Sequence, residues 1–382
     1  MANKLDVTPQ VVAAETLSAL GDALVIGNLL YRDKTSDFGK SNGFAVGDSV
    51  NIKQRPDYEI NEFTAGGNVT VQDIRESNRS LTVEKHLDAS VAIGARERAL
   101  SFDGFNEQVI QPVALRFANK IDNYLGTKIH EAANLYNVAD LFGTAADVAL
   151  ARKEATERRI SETGRFCLLG LTSEAELLGT TWFNQSQTRG TRGEMSLATA
   201  EMGDLMGMPF YASSNVPETA HTAANLSATT NNTGTTNLIG LSVLTVDNAS
   251  ATTINAGDRI EIAGVKSMLV CATTTAATVT AIPLTNPITE IIPDGAAVTI
   301  AGSGLTYTHR GVITEGNAYA YAVPPLDKPE GVESSVISAD GFSIRVVSAY
   351  NITTKVQTMS LDMLIGATIW DPRRAMSLAQ GS

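Results

Sequence analysis

The chain has 382 residues, of which 43% are apolar and 18% charged, so it is long enough to form about two or three domains with buried cores. No run approaches the ~18 uncharged apolar residues of a membrane span, and the N-terminus lacks the apolar core of a secretory signal. These features predict a globular protein of cytoplasmic origin. The formal net charge of −12 argues against a protein that binds nucleic acid by neutralising phosphates.

The residue types that carry catalysis or bind metals are scattered along the sequence. Cys167 and Cys271 lie far apart without a CxxC pattern, which predicts two reduced and packed thiols. The sequence has no Gly-x-Ser-x-Gly and no Gly-x-Gly-x-x-Gly motif. The histidines lie in four different predicted elements without metal-ligand spacing: His86, His130, His221 and His309. We therefore expect no enzyme, no cofactor and no metal site.

The first predicted element is an amphipathic helix over residues 8 to 30. Thr8 is suited to start it, and Pro9 occupies the first helical position, where proline is favoured. Apolar residues recur at helical spacing, as Val11, Val12, Leu17, Leu20, Leu24, Val25, Leu29 and Leu30. We expect this helix to pack against another element.

Residues 47 to 94 predict an extended β-hairpin. Val50 and Ile52 alternate with polar residues in the first arm, as Leu81 and Val83 do in the second. The roughly 25 residues between the arms are too polar to bury a core, and a long hairpin is at best marginally stable alone. The hairpin therefore needs support from its own subunit or from another one. The tip side chains predicted to make an inter-subunit contact are Tyr58, Ile60, Phe63, Val69 and Val71.

The strongest helical pattern runs from residue 102 to residue 137 and predicts a spine on which other elements pack. At about 36 residues and 54 Å, such a helix would run the length of its domain. Asp103 is suited to cap its start, while Pro112 predicts a bend or a late start near Val109. The predicted core positions recur every fourth residue: Phe105, Val109, Val113, Phe117, Ile121, Leu125 and Ile129.

Short helix and strand patterns follow the spine. They predict a charged helix, a buried strand, a short helix with a Ser-x-x-Glu capping box, and a further strand, at residues 147–161, 165–171, 173–178 and 209–213. The stretch Gln187 to Glu194, with Arg189 and Arg192, has the glycines of a phosphate loop but lacks the following Lys-Ser/Thr. A mobile polar loop is the preferred interpretation.

The composition changes near residue 219, because no Phe, Trp or Tyr lies between Ala212 and Thr306. Strand patterns separated by glycine turns predict an inserted small β-barrel or sandwich, at residues 241–246, 259–263, 266–272, 278–282 and 297–300. The low-complexity run from 223 to 236 predicts a flexible linker, and we expect residues 238 to 301 to fold alone. Terminal strands at 343–350 and 361–370 and a short polar end complete the chain.

The order of these elements resembles that of the major capsid proteins of tailed bacteriophages, which have the Hong Kong 97-type fold. The stretch NAGDRIEIAGVK (255–266) is similar to the inserted domain of the P-twenty-two-like coat proteins. GMPFYASSNVP (207–217) is similar to the strand leading towards that insertion, and DMLIGATIWDP (362–372) to the last strand of the peripheral domain. The resemblance covers essentially the whole chain.

The resemblance implies an α+β fold and a division of the chain into parts. They are an N-terminal arm (1–43), an extended hairpin loop (44–94), a peripheral domain with the spine helix plus the first part of an axial domain (95–222), an inserted β-barrel domain (223–310) and returning axial and peripheral strands (311–382). Lys53 and Lys85 lie on the hairpin, where some members form lysine to asparagine crosslinks. This coat branch is not expected to crosslink.

The function implied by the resemblance is a virion shell assembled in the host cytoplasm. Copies of the chain would form the hexamers and pentamers of an icosahedral shell, with scaffolding and portal proteins as further partners, double-stranded DNA only as enclosed cargo, and no membrane. Two alternatives stay open: the shell of an encapsulin-like nanocompartment, and a β-rich adhesin or carbohydrate-binding protein. The aromatic-free insert disfavours the last, because sugar sites usually stack rings on aromatic side chains.

Overall fold

The computed structural model describes residues 9–32, 45–54, 77–94, 106–185, 190–232, 236–247, 249, 253–275, 280–353 and 356–381. These residues form a protein of mixed helix and strand. The chain divides into two compact units. Unit 1 comprises Met1–Asn51, Ser80–Lys128 and Tyr319–Thr368, and unit 2 comprises Ile52–Arg79, Ile129–Ala318 and Ile369–Ser382.

The helices and strands are labelled in chain order within the described residues. The α-helices are α1 (Pro9–Ala23), α2 (Ile26–Leu29), α3 (Gln111–Ile129), α4 (Ala145–Glu157), α5 (Leu171–Gly179), α6 (Thr181–Asn184) and α7 (Thr191–Thr199). The β-strands are β1 (Ser49–Gln54), β2 (Ser77–Thr82), β3 (Lys85–Gly94), β4 (Asn134–Val138), β5 (Arg165–Leu169), β6 (Asp204–Leu205), β7 (Met208–Ala212), β8 (Ala220–Thr222), β9 (Ser227–Thr230), β10 (Val243–Asp247), β11 (Arg259–Ile262), β12 (Leu269–Val270), β13 (Ala281–Pro283), β14 (Ala297–Ile300), β15 (Thr306–Glu315), β16 (Tyr319–Ala322), β17 (Glu333–Ala339), β18 (Phe342–Asn351), β19 (Val356–Ile369) and β20 (Ala375–Gly381).

Unit 1 is built around the long strand β19. Its sheet has the order β16-β19-β18-β17, and β3 also pairs with β19. The two hairpin arms β1 and β2 pair with each other, as the sequence predicts. Helix α1 packs on β17 and β18 because its apolar positions, among them Val12, Ala13 and Leu20, repeat at helical spacing and are buried. The predicted N-terminal helix is therefore confirmed, with a break at Leu24 and Val25 before α2.

The spine helix is shorter than the sequence predicts. Helix α3 begins at Gln111, with Pro112 in its first turn, after a π-helical turn over Asn106–Ile110. It ends at Ile129, so the predicted continuation to residue 137 is wrong. The last part of that pattern forms β4, which pairs in parallel with β20. Strand pairing within the folded protein therefore outweighs the local helical periodicity.

Unit 2 contains a seven-stranded sheet. Its order is β4-β20-β15-β5-β7-β6, and β8 also pairs with β15. The predicted strands near residues 165 and 209 are confirmed as β5 and β7. The short polar end predicted after residue 374 is wrong, because Ala375 to Ala379 are buried in β20 between β4 and β15. Met376 and Leu378 alternate there with the small residues Ala375, Ser377 and Ala379, which suits an interior strand.

A six-stranded antiparallel sheet forms a second layer of unit 2. Its order is β12-β11-β14-β9-β10-β13. The outer strands are β12 and β13, and the residues that follow them, Cys271 and Leu284, form an antiparallel β-bridge with each other. Apolar side chains from all parts of the sheet form one core cluster. The linker predicted at 223–236 is wrong over Ser227–Thr230, because these residues form β9 between β10 and β14.

Two local predictions in the middle of the chain are corrected. The capping box predicted at Ser173 is wrong, because α5 begins at Leu171 after Gly170, and the hydroxyl of Ser173 donates to the carbonyl oxygen of Arg310. A capping box is instead present before α4, where Asp147 accepts from the N–H of Thr144 at 2.7 Å. The polar loop predicted at 187–194 is wrong from residue 191, where α7 begins; residues 186–189 lie outside the described residues.

Candidate functional site

The root of the β1–β2 hairpin, where its arms meet the body of unit 1, is fixed by backbone hydrogen bonds. The N–H of Gly47 donates to the carbonyl oxygen of Val83, and the N–H of Val83 donates to that of Asp48, both at 2.9 Å. The N–H of Glu84 donates to the carbonyl oxygen of Ile365 in β19 at 3.1 Å. The fully buried side chain of Val83 adds an apolar anchor. The hairpin therefore leaves unit 1 from a rigid base.

Helix α3 holds the same root through its side chains. The Tyr124 hydroxyl donates to Glu84 Oε2 at 2.9 Å and accepts from the N–H of Ala367 in β19 at 3.2 Å. Lys128 Nζ lies 3.1 Å from Glu84 Oε1. Lys85 Nζ lies 5.6 Å from the centre of the Tyr124 ring, within cation–π distance. Tyr124 therefore joins the helix, the hairpin root and β19, and Lys85 has a partner in its own subunit.

Asp122 of α3 anchors the N-terminal segment. Its carboxylate accepts hydrogen bonds from the backbone N–H groups of Val25, Ile26 and Gly27 at 2.8, 3.2 and 2.9 Å. These donors belong to the start of α2 and have no partner within so short a helix. Burial raises the pKa of Asp122, while the three N–H donors act in the opposite direction. One carboxylate thus fixes α2 to the spine.

The structure brings together three of the four histidines that the sequence places in separate elements. The rings of His130, which follows α3, and His309 of β15 stack with their centres 4.9 Å apart. The ring of Tyr307 lies 5.4 Å from His309 and 5.5 Å from His221 of β8. His309 Nδ1 lies 2.7 Å from the Ser377 hydroxyl. We call His130, His221, His309 and Tyr307 the histidine cluster.

Two charged residues of the six-stranded sheet reach this cluster. The guanidinium of Arg259 in β11 donates to the carbonyl oxygens of His130 and Ala132. The fully buried Asp258 lies beside it, and its Oδ1 is 2.8 Å from His221 Nε2. Sequence spacing gives no sign of this arrangement, because its members come from α3, β8, β11 and β15. Only the packing of two sheets brings them together.

The histidines that stack in the cluster are held in their neutral form. Burial, followed by the charge of Arg259 and the neighbouring histidines, lowers the pKa of His309 to about 2. Burial also lowers the pKa of His130, with the charge of Arg259 acting in the same direction. His130 Nε2 is hydrogen-bonded to the carbonyl oxygen of Pro217, and its buried Nδ1 has no hydrogen-bond partner among the described residues. A proton on Nδ1 would therefore be buried without an acceptor.

The residues predicted from the spine pattern differ in burial. Phe117, Ile121, Leu125 and Ile129 are buried in or at the end of α3, whereas Val109 and Val113 are half-buried. Phe105 lies outside the described residues, as do all five predicted tip residues, Tyr58, Ile60, Phe63, Val69 and Val71. The side chain of Lys53 also lies outside them. The inter-subunit contact at the tip therefore stays a prediction.

The described residues contain no group of three or more His, Cys, Asp or Glu side chains that could hold a metal ion. Cys167 and Cys271 are both buried and unpaired, as the sequence predicts, and burial raises the pKa of the Cys167 thiol. No helix among these residues is long and apolar enough to cross a membrane.

No protein-family model and no curated protein matches the sequence. Solved structures are similar at low sequence identity. A chain from Mycobacterium phage Che8 has 12% identity over 93% of this chain and 90% of its own, with a TM-score of 0.49. A chain of the mature capsid of bacteriophage PhiM1 has 13% identity over 89% of this chain and 82% of its own, with a TM-score of 0.47. The virus-like particle from Pyrococcus furiosus has 8% identity over 97% and 98%, with a TM-score of 0.42. Scores below 0.5 decide neither the fold family nor the function of this chain.

Proposed function

We propose that this chain is a major capsid protein of the Hong Kong 97-type fold, in the P-twenty-two-like branch. Its copies assemble into the hexamers and pentamers of an icosahedral shell. The observation that carries the proposal is the β1–β2 hairpin, whose arms pair with no third strand among the described ones. Its root is nevertheless clamped to α3 and β19 through Tyr124 and Glu84.

A rigid root with a two-stranded arm is suited to contact between subunits. A two-stranded hairpin gains little stability alone in water, so an arm of this kind becomes ordered by lying on a neighbour. The neighbour is another copy of the chain, because closed symmetric assemblies repeat one contact at every subunit. Weak contacts then add up to a stable shell.

The six-stranded sheet supports an inserted β-barrel domain. Its chain leaves the seven-stranded sheet at β8 and returns at β15, and these two strands pair, with Thr222 opposite Thr306. The two ends of the segment therefore lie side by side, as a domain insertion requires. The Ala272 N–H donates to the carbonyl oxygen of Pro283, and the Thr285 N–H to that of Val270, both at 2.9 Å. These bonds join β12 to β13, as closure into a barrel requires.

The proposed shell encloses a double-stranded DNA phage genome. The net charge of −12 suits a wall of like sign that does not trap the DNA as it enters. Scaffolding and portal proteins are the expected further partners, with the virion as final location and the host cytoplasm as the site of assembly. An encapsulin-like nanocompartment is the second candidate, because the same hairpin contact would build either shell.

Electron microscopy of the purified protein tests the proposal directly. Closed shells of uniform size, formed alone or with a scaffolding protein, support it. Shells purified from infected cells that contain duplex DNA support the virus, whereas shells filled with a cargo enzyme support the nanocompartment. A monomer that never assembles at high concentration and binds immobilised glycans would instead favour the adhesin and overturn the proposal.

A further inference from the structure

We propose that His130, His309 and Arg259 form an acid-sensitive latch, which holds the six-stranded sheet to the seven-stranded sheet at neutral pH and releases it on protonation. The inference concerns regulation within one subunit and does not depend on the proposed shell function. Both sheets belong to unit 2, so the latch acts inside a single compact body.

Arg259 is the part of the latch that belongs to the six-stranded sheet. Arg259 is 3% exposed, and its guanidinium donates to the carbonyl oxygens of His130 and Ala132, and to that of Gly257 at 2.8 Å. A second hydrogen bond nearby, from the N–H of Met268 to Asn134 Oδ1 at 3.0 Å, also joins the sheet to β4 of the seven-stranded sheet. The buried guanidinium of Arg259 therefore joins the six-stranded sheet to the backbone carbonyl groups of His130 and Ala132.

The stacked histidines are the parts of the latch that change charge. A proton on either ring would place a second positive charge beside Arg259 in a buried site, where charges are only weakly screened. Nδ1 of His130 would become a donor without an acceptor. Protonation therefore favours an arrangement in which the rings and Arg259 separate and reach water.

The other ionisable groups around the cluster do not offset this charge. Asp258 is the nearest carboxylate, and it already accepts from His221 at 2.8 Å and from the N–H of Asn255 at 2.7 Å. Glu218 faces His130 but pairs with Arg310 at 3.0 Å. Burial raises the pKa of Tyr307, so its hydroxyl stays neutral.

His221 has a different role in the latch. Its ring lies 2.8 Å from the carboxylate of Asp258, so a positive charge on this ring already has a counter-charge beside it. His221 lies in the strand β8 from which the inserted segment leaves the seven-stranded sheet. The released sheet therefore stays joined to the seven-stranded sheet through the paired strands β8 and β15.

The pH range follows from linkage. The closed form lowers the pKa values of both stacked histidines, whereas the open form gives them the ordinary value of about 6.5. The latch is therefore fully effective above that value, and its stabilising effect is lost as the pH falls below it. The equilibrium constant for opening of the latch rises about tenfold for each pH unit of acidification if one proton is taken up, and about a hundredfold if two are taken up.

Hydrogen exchange of the full-length free subunit tests the latch at pH 7.5, 6.0 and 4.5, after correction for intrinsic exchange rates. We expect the amide of Met268, whose N–H crosses to Asn134 Oδ1 of the other sheet, to lose protection at least tenfold between pH 6.0 and 4.5. Peptides from β5 and β7 should stay protected. The double variant His130→Gln/His309→Gln keeps side chains that form hydrogen bonds and removes both titrating rings, so its exchange should not depend on pH in this range.

The fourth histidine supplies a matched control, because the exposed His86 belongs to unit 1 and is not a member of the cluster. The His86→Gln variant should lose protection from hydrogen exchange in acid to the same extent as the unchanged protein. Equal protection of the Met268 amide at pH 7.5 and 4.5 would overturn the latch, as would acid opening that persists in a folded double variant. If the double variant does not fold, carbon-13 NMR of the histidine rings in the unchanged protein decides. Four rings that titrate near pH 6.5 with the sheets still closed would overturn the proposal.

Discussion

Gly366 of β19 lies against the carbonyl oxygen of Thr82 in β2, so closely that a Cβ at position 366 would overlap this oxygen. The absence of a side chain lets the long strand reach the hairpin root. We expect Gly366→Ala to push the two backbones apart and to lower the free energy of unfolding by about 1 to 3 kcal/mol, measured by urea denaturation. Gly21→Ala in α1 is the control, because nothing lies within 4 Å of its Cβ. The control should stabilise the helix by up to about 1 kcal/mol, and equal effects of both changes would contradict the close approach.

Shortening the hairpin tests its contact with a neighbouring subunit. Joining Gln54 to Ser77 through an Asn-Gly turn keeps the described arms and removes the predicted tip. The monomer should stay folded, and assembly should stop at small oligomers, because five apolar side chains, each contributing about 1.5 to 3 kcal/mol before ordering costs, are lost. Sedimentation and electron microscopy measure the outcome.

A second hairpin variant separates length from chemistry. Replacing Tyr58, Ile60, Phe63, Val69 and Val71 by Ser keeps the full loop and should impair assembly as the deletion does. Closed shells of normal size from either variant would show that the tip makes no essential contact. Loss of circular dichroism in the isolated monomer would instead place the tip in its own subunit's core.

Asp122 should be more important for stability than its position on the spine suggests. Asp122→Ala leaves the buried N–H groups of Ile26 and Gly27 without an acceptor. We therefore expect the free energy of unfolding, measured by denaturant titration, to fall by about 1 to 3 kcal/mol. Asp140→Ala is the matched control. Asp140 also accepts from two backbone N–H groups, but it is exposed. When its carboxylate is removed, water can accept the hydrogen bonds of these N–H groups instead. A loss in the control as large as in the variant would contradict the role of burial.

The boundaries of the inserted segment can be tested with two fragments. Residues 223 to 305 include β9, and their ends meet where the N–H of Ala223 donates to the carbonyl oxygen of Leu305 at 3.0 Å. Residues 238 to 301 lack β9, which pairs with both β10 and β14. We expect dispersed amide NMR spectra from the longer fragment only. A folded shorter fragment would show that β9 is dispensable.

Regular patterns made much of the fold predictable. The alternation around Val50 and Leu81 gave the hairpin arms, and the four-residue spacing from Phe117 to Ile129 gave the core of α3. Prediction failed where pairing partners are distant in sequence. Residues 134–138 continue the helical spacing, yet they form β4 because Asn134 and its neighbours find β20 about 240 residues later.

The candidate site was less predictable than the fold. The Thr-rich sequence at 227–230 predicts a linker when it is considered alone. It forms β9 because β10 and β14 supply hydrogen bonds on both of its sides. The histidine cluster had no local signal, because His130, His221 and His309 meet only when the two sheets pack. Asp122 is likewise an ordinary polar position of the helix until Val25 and Gly27 approach it.

The position of β20 inside the seven-stranded sheet sets the order in which this sheet forms during synthesis. Its neighbour β4 finds no other partner among the described strands, and the residues it pairs with are made about 240 positions later, as Asn134 and Met376 illustrate. At about 5 to 20 residues per second, β4 leaves the ribosome roughly 10 to 50 s before β20. Late in that interval β15 is made and can pair with β5, and its other edge is exposed to aggregation until β20 follows. A subunit whose β20 has not yet been made therefore has an incomplete sheet, so incorporation into any assembly has to follow synthesis of β20.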